Sequence, residues 1–342
     1  MTPSDPRPGT VTFLDRDTVY ERLTPRACLE RVEETFRWVG EGRVQQANPV
    51  RLNVAPPEGE FGSGRVLSFP AYVEPLAAAG VKWLGAYQEN ARRGLPTINA
   101  VNVLSDAETS LPLAIVEGQS VTAMRTAGHA AVGAKYLARE DSSVVTIVGC
   151  GDQGRTHLRL LAELFDVEAV RACDLVDDVR ESFVAEASDE HGVTVEGYTD
   201  AEAAVRGADV VCTVTSATQP IVQADWLDPG THVAATAGFV DLDPALSRVA
   251  DKWVVGWYER DLEWIDDDGD DVWTAEGYAV DAADVHADLT EVIAGERPGR
   301  ESDDEVTVMT HMGMPALDTA ATHLVYEAAT EAGVGTRLRL FE

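Results

Sequence analysis

The sequence predicts an α/β protein in which a doubly wound parallel-sheet domain is inserted into a mixed α+β domain. Three observations carry this. A β-branched run, Val144 to Val148, breaks into Gly149-Cys150-Gly151-Asp152-Gln153-Gly154 and then into a segment of helical period with Leu158, Leu160 and Leu161. After it, strand-like and helix-like stretches alternate to about residue 255, the pattern of a parallel sheet. Before it, several strand-like stretches follow one another with few helices, which suggests a mixed or antiparallel sheet.

In chain order, residues 1–10 read as a loose leader and Val11 to Leu14 as a short strand. Thr24-Pro25 starts a helix through about Gly40, with Pro25 in its first turn and Phe36 and Trp38 facing inward or a partner. Strands are expected at Val50 to Val54, Leu67 to Tyr72, Gly80 to Tyr87 and Ala100 to Leu104, with turns at Pro56 to Gly59 and Gly94 to Pro96. Ser120-Val121-Thr122 offers an N-cap to a helix through about Arg139 that carries Arg125 in its first turn and leads into the glycine-rich strand. Further strands are expected at Val167 to Cys173, Val193 to Glu196, Val210 to Thr215, His232 to Ala237 and Trp253 to Val255, with a helix at Asp200 to Val205. Six strands complete the parallel sheet, so the amphipathic stretch Leu317 to Ala332 should return to the first domain. The expected division is 1–121 with 314–342, and 122–313.

The glycine-rich run has the spacing of a dinucleotide site. Gly149 permits the tight turn, Gly151 lets a pyrophosphate approach the backbone, and Gly154 lets helix and strand pack closely. N–H groups at the helix start, from Asp152 and Gln153 onward, face the phosphates. Asp174 follows the next strand, where an acid accepts from the ribose hydroxyls and repels a 2′-phosphate. NAD is therefore expected rather than NADP. Thr215 and Ser216, after the fourth strand, are further candidate cofactor contacts. A ligand-free glycine turn is the alternative.

Composition bounds the partners. The formal net charge is −32, and the only lysines are Lys82, Lys135 and Lys252. Acid spread along a whole chain resembles proteins of salt-loving organisms, where the Debye length falls to about 3 Å at 1 M salt. Nucleic acid and anionic membranes are unsuitable partners for it. Cys28, Cys150, Cys173 and Cys212 form no disulfide or metal pattern, and no signal or membrane-spanning run is present. A soluble cytoplasmic protein is expected. The acidic run Asp266 to Asp271 lacks the ligand spacing of a calcium loop and reads as solvated. No metal site is expected.

Several stretches together resemble the ornithine cyclodeaminase/μ-crystallin family. They are Gly80-Val81-Lys82, Leu111-Pro112-Leu113-Ala114, Thr122 to Ala127, Gly149 to Gly154, Gly207-Ala208-Asp209, Pro229-Gly230-Thr231-His232 and Gly313 to Asp318, in the family's order over about residues 48–335. The run from Pro298-Gly299-Arg300 to Gly335-Thr336-Arg337-Leu338 is most similar to members named as tyramine oxidase B subunits. The resemblance implies a Rossmann domain inserted into a substrate-binding domain that forms a homodimer through its sheet. It also implies NAD(P) and a small amino or imino acid.

By position, Arg51, Lys82 and Arg125 match the family's residues around the substrate carboxylate. Guanidinium forks suit a carboxylate, and a lysine with its pKa lowered beside arginines can exchange a proton with substrate. A surface ion pair for Arg51, an interdomain pair for Arg125 and a strand lysine at Lys82 are the alternatives. His311 lies at the loop that in the family approaches the nicotinamide, as a proton donor or as a packing residue. Phe239 stands where cyclodeaminases carry an aspartate, with Asp241 two residues on. The resemblance thus implies an NAD-dependent ketimine reductase or amino-acid dehydrogenase. A cyclodeaminase with recycling NAD and a non-catalytic NAD-binding subunit are the alternatives.

Overall fold

The computed structural model describes residues 9–55, 64–236, 240–261 and 285–340. The leader 1–8, the turn at Pro56 to Gly59, Phe239 and the acidic run Asp266 to Asp271 lie outside the described residues. The chain divides into two compact units, 1–125 with 314–342, and 126–313.

The first unit is built on one sheet. Its strands are β1 (Thr10–Leu14), β2 (Val44–Gln46), β3 (Val50–Val54), β4 (Gly64–Val73), β5 (Ala78–Ala86), β6 (Ile98–Asp106), β7 (Pro112–Glu117) and, from the end of the chain, β16 (Thr336–Arg339). They lie in the order β16-β1-β7-β6-β5-β4-β2, with β3 also on β4. Only β1 and β7 run parallel, so the sheet is mixed. Register places Lys82 of β5 between Phe69 of β4 and Asn102 of β6. Because side chains alternate, Leu67, Phe69, Leu84 and Ala100 share the face of Lys82.

That face carries the helix Pro315–Ala332, whose small residues Ala316, Ala320 and Ala321 are buried and allow close approach. Asn102 Nδ2 donates to Thr322 Oγ1 at 2.8 Å, which ties sheet to helix at a buried polar pair. Leu67, Phe69 and Leu84 are buried, each contributing about 1.5–3 kcal/mol. The opposite face is apolar and open: Val50, Leu52, Trp83 and Val101 are 60%, 52%, 53% and 36% exposed.

The second unit is a parallel sheet in the order β10-β9-β8-β11-β12-β15-β13-β14. Here β8 is Val144–Val148, β9 Ala169–Cys173, β10 Thr194–Tyr198, β11 Val210–Thr213, β12 His232–Thr236, β13 Lys252–Val255, β14 Ala287–Asp288 and β15 Thr307–His311. Chain reversal between β10 and β11 creates the switch point beside β8 that open sheets of this kind use for ligands. The expected strands are present within a few residues. The expected total of six is corrected to eight, because β15 enters between β12 and β13 and β14 closes the edge. His311 is accordingly the last residue of a strand, not part of a loop.

The four cysteines are free and buried, and among the described residues no group could hold a metal ion. No described helix is long and apolar enough to cross a membrane.

The helix expected to begin at Ser120 instead spans Gly118–Leu137. Glu117, not Ser120, satisfies its start: the carboxylate accepts from Gln119 N at 2.6 Å and from Ser120 N at 3.1 Å. Arg125 therefore sits in the second turn, beyond the strongest reach of the helix dipole. Substituting Glu117→Ala should lower stability by about 1 kcal/mol, the usual cost of a lost cap. Urea unfolding checks this, and an unchanged midpoint would show that the cap is not formed.

Candidate active site

Three buried charges meet in the first unit. Lys82 comes from β5, Arg125 from the helix Gly118–Leu137 and Asp318 from the helix Pro315–Ala332. Lys82 Nζ lies 2.8 Å from Asp318 Oδ2 and donates to Oδ1 at 2.9 Å. Arg125 Nε donates to the same Oδ1 at 2.8 Å. The ammonium also sits 4.1 Å from the centre of the Phe69 ring, a cation–π contact.

Two cations against one carboxylate leave a net positive charge in a dry place. Burial is the largest influence on Lys82, Arg125 adds to it and Asp318 opposes it; together they pull the amine down to about 7. Such a pocket can accept an anion and exchange a proton near neutrality. The thiol of Cys28, close to Arg125, is pushed up to about 12 by burial and is inert.

Arg51 is not part of this cluster. It lies on exposed β3, on the sheet face that carries Lys82, with its Nε donating to Asn53 Oδ1 at 3.1 Å. Arg65, which the sequence reading passed over, is its neighbour there; burial and the charge of Arg51 lower its pKa. Asp318 was also unrecognised except as part of a similar run. Its signal was a lone acid in a stretch of small and apolar residues, Pro315 to His323, all of which are buried.

In the second unit, β8 leads into the glycine-rich turn and the helix Asp152–Leu161. Gly149 has φ +103°, and a Cβ there would meet the Val214 carbonyl oxygen at 2.7 Å; one on Gly154 would meet the Gly149 oxygen at 2.2 Å. Gly151 is the N-cap, no side chain caps the helix, and nothing lies within 4 Å of where its Cβ would point. The first N–H groups, from Asp152 and Gln153 on, are thus presented to an open space. Gln153 Oε1 is buried without a hydrogen bond.

Asp174, after β9, accepts from Cys150 N and Val176 N, both at 2.9 Å, so it fixes the turn. Arg180 donates to the Asp174 carbonyl at 2.7 Å. Thr215 lies against Gly149 and its hydroxyl donates to Asp241 Oδ1 at 2.9 Å; Ser216 is exposed. Burial raises the pKa of Asp241 against the hydrogen bond from Thr215. His311 is buried, with Nε2 3.0 Å from Thr236 Oγ1, and the same oxygen is 3.1 Å from His157 Nε2. An uncapped helix start, a turn in which Gly149 and Gly154 have no room for a side chain, and an acid after the second strand fit a dinucleotide.

The model of the ornithine cyclodeaminase/mu-crystallin family matches residues 11–333. The alanine dehydrogenase of Archaeoglobus fulgidus is 34% identical over 334 residues, covering 96% of this chain and 98% of its own. The solved delta(1)-pyrroline-2-carboxylate reductase of Thermococcus litoralis, in complex with NADH and L-proline, superposes with TM-score 0.86 at 31% identity, over 95% of this chain and 99% of that one. An archaeal alanine dehydrogenase dimer with bound NAD gives TM-score 0.86 at 32% identity, over 97% and 100%.

Replacing Asp318 by Asn would leave two buried cations without their counter-charge. The expected cost is about 3–5 kcal/mol, read as a lowered urea midpoint. Stability equal to wild type would mean that the carboxylate does not hold the pair.

Proposed function

The chain belongs to the ornithine cyclodeaminase/mu-crystallin family, and from that premise we propose that it is an NAD-dependent oxidoreductase of small amino or imino acids. The reaction joins an α-imino acid and its amine, in the manner of the ketimine reductases and amino-acid dehydrogenases it is similar to. The observation that carries the reading is the buried Lys82–Asp318–Arg125 cluster, with its excess positive charge and an amine poised near neutrality. Arg125 would hold the substrate carboxylate, with Arg51, on the sheet face of Lys82, approaching from the rim. Lys82 Nζ would carry the proton for the substrate nitrogen.

Gly149, Gly151, Asp152, Gln153 and Gly154 would cradle the pyrophosphate, Asp174 the ribose, and Thr215 and Ser216 the dinucleotide beyond it. When bound there, NAD supplies the hydride carrier. Binding and orientation of the two reactants supply much of the acceleration in such a site.

Support for ring closure with ammonia loss is weaker. By resemblance Phe239 stands where cyclodeaminases carry an acid, and Asp241, two residues on in the sequence, is engaged by the Thr215 hydroxyl. The reading extends to a homodimer formed through the open apolar face of Val50, Leu52, Trp83 and Val101, which sedimentation of the purified chain would test against a monomer. It also extends to a cytoplasm of high salt, supported by four unpaired thiols and a charge of −32. Loss of the native circular dichroism signal on dilution from molar to low salt would be the matching observation.

The test is a screen of imino acids, and of keto acids with ammonia, against NADH, with ornithine alone as the cyclodeaminase control. Reduction of at least one imino acid is expected, with no proline formed from ornithine. Lys82→Ala should lower kcat/KM by about 10²–10⁴-fold. Protonated Lys82 donates during reduction, so that rate should fall as pH rises through about 7. Neutral Lys82 accepts during oxidation, so that rate should rise through the same range. Equal rates for wild type and Lys82→Ala on every substrate would refute the assignment.

A further inference from the structure

The carboxamide of Asn102 has a direction that its neighbours dictate. Thr322 Oγ1 lies 2.6 Å from the Asp318 carbonyl oxygen, an atom that can only accept, so the hydroxyl commits its single proton there. The same Oγ1 is 2.8 Å from the end of the Asn102 side chain and has only lone pairs left for it. That end is therefore the NH₂ group, and the carbonyl oxygen Oδ1 is the opposite end. Oδ1 is buried without a hydrogen bond, in a residue that is 2% exposed. A buried acceptor left unpaired lowers stability, so its presence calls for a partner.

Its position says which partner. Asn102 of β6 is the direct cross-strand neighbour of Lys82 on β5. The two side chains rise from one face of the sheet, with Cβ atoms about 4.5–5.5 Å apart. On the helix Pro315–Ala332, Asp318 meets Lys82 and Thr322, one turn further on, meets Asn102. All of these residues, with Arg125, belong to the first unit. Lys82 and Arg125 offer donors only, and both are turned to Asp318. The cluster thus holds cations for a carboxylate, one carboxylate already engaged, and beside them a carbonyl oxygen with nothing to accept. Thr319 Oγ1, another unbonded oxygen on that helix, is less open, because a Cβ on Gly80 would already meet it at 2.7 Å.

We infer that Asn102 is a substrate-binding residue whose Oδ1 accepts an N–H from the nitrogen of the amino or imino acid, and that Thr322 positions it. This rests on the proposed oxidoreductase activity and adds a residue to it. With Arg125 on the carboxylate, the nitrogen lies between Lys82, which moves its proton, and Asn102, which holds another N–H. Discrimination follows: an acid of the same skeleton without nitrogen leaves Oδ1 unpaired.

Calorimetry of the full chain saturated with NADH tests this without turnover. The common amino acids are screened, and each that binds is compared with the deamino acid of the same skeleton, as L-alanine with propionate. In Asn102→Leu, affinity for the amino acid should fall about 10-fold or more, the worth of a hydrogen bond to a charged group. The deamino acid should bind as it does to wild type. Equal losses for both ligands would show that Asn102 only keeps the pocket in shape, and an unchanged affinity for the amino acid would show that it touches no nitrogen. Either result overturns the inference, as does a wild type that binds no amino acid.

Thr322→Val removes the acceptor that orients the carboxamide and should weaken the amino acid alone, whereas Thr322→Ser keeps that acceptor and should restore the affinity. This pair decides the matter where Asn102→Leu fails to fold. A folded Thr322→Val that binds as wild type, or a Thr322→Ser that does not restore binding, overturns the inference. Loss selective for the amino acid, in a protein that reduces no imino acid, would leave the acceptor standing and refute the oxidoreductase reading. Reduction of an imino acid without any selective loss would do the reverse.

Discussion

The carboxylate of Asp318 is the constraint on which the first unit turns. Lys82 and Arg125 are two like charges in a place almost without water, an arrangement that would push elements apart. One carboxylate, bonded to both at 2.8 Å, lets them coexist and draws a strand and two helices to one point. It does not neutralise them. The residual positive charge stands out in a chain of net charge −32. In the proposed reading an anionic substrate would meet that charge, beside an amine that can change its protonation near neutral pH.

The second unit works by backbone rather than by charge. The glycine-rich turn leaves the helix start uncapped, and Asp174 holds that turn in shape through the Cys150 N–H. The same acid is the one proposed to meet the ribose. Behind it, His157 occupies the next turn of the same helix and reaches through Thr236 to His311. Hydrogen bonds thus link the helix after the glycine-rich turn to the end of β15 within this unit.

How much of this was legible depended on how local its cause was. Gly149 to Gly154 could be read because strand, turn and helix fall within some twenty residues and each glycine has its own steric reason. Lys82 stood out because lysine is so scarce. Asp318 did not, because its partners are 236 and 193 residues away and no local pattern marks the meeting.

The missed strand β15 has a similar explanation. Its sequence, Thr307 to His311, holds three polar residues among five, yet all five are buried. Thr307, Thr310 and His311 are satisfied by His232, Trp253 and Thr236, partners from other elements of the same unit. The start of the helix at Gly118 was misplaced for a smaller reason. Glutamate is an uncommon cap, and Ser120 carried the stronger propensity.

The claim at the centre is that Lys82 is a buried amine held near neutrality by its surroundings. With Lys82 one of only three lysines, selective ¹³Cε labelling gives a spectrum simple enough to follow each amine through a pH titration. The account predicts that the signal absent from Lys82→Met titrates with a midpoint of about 7. A Lys82 signal that titrates only at about 10, the ordinary value for a solvated lysine, would contradict it.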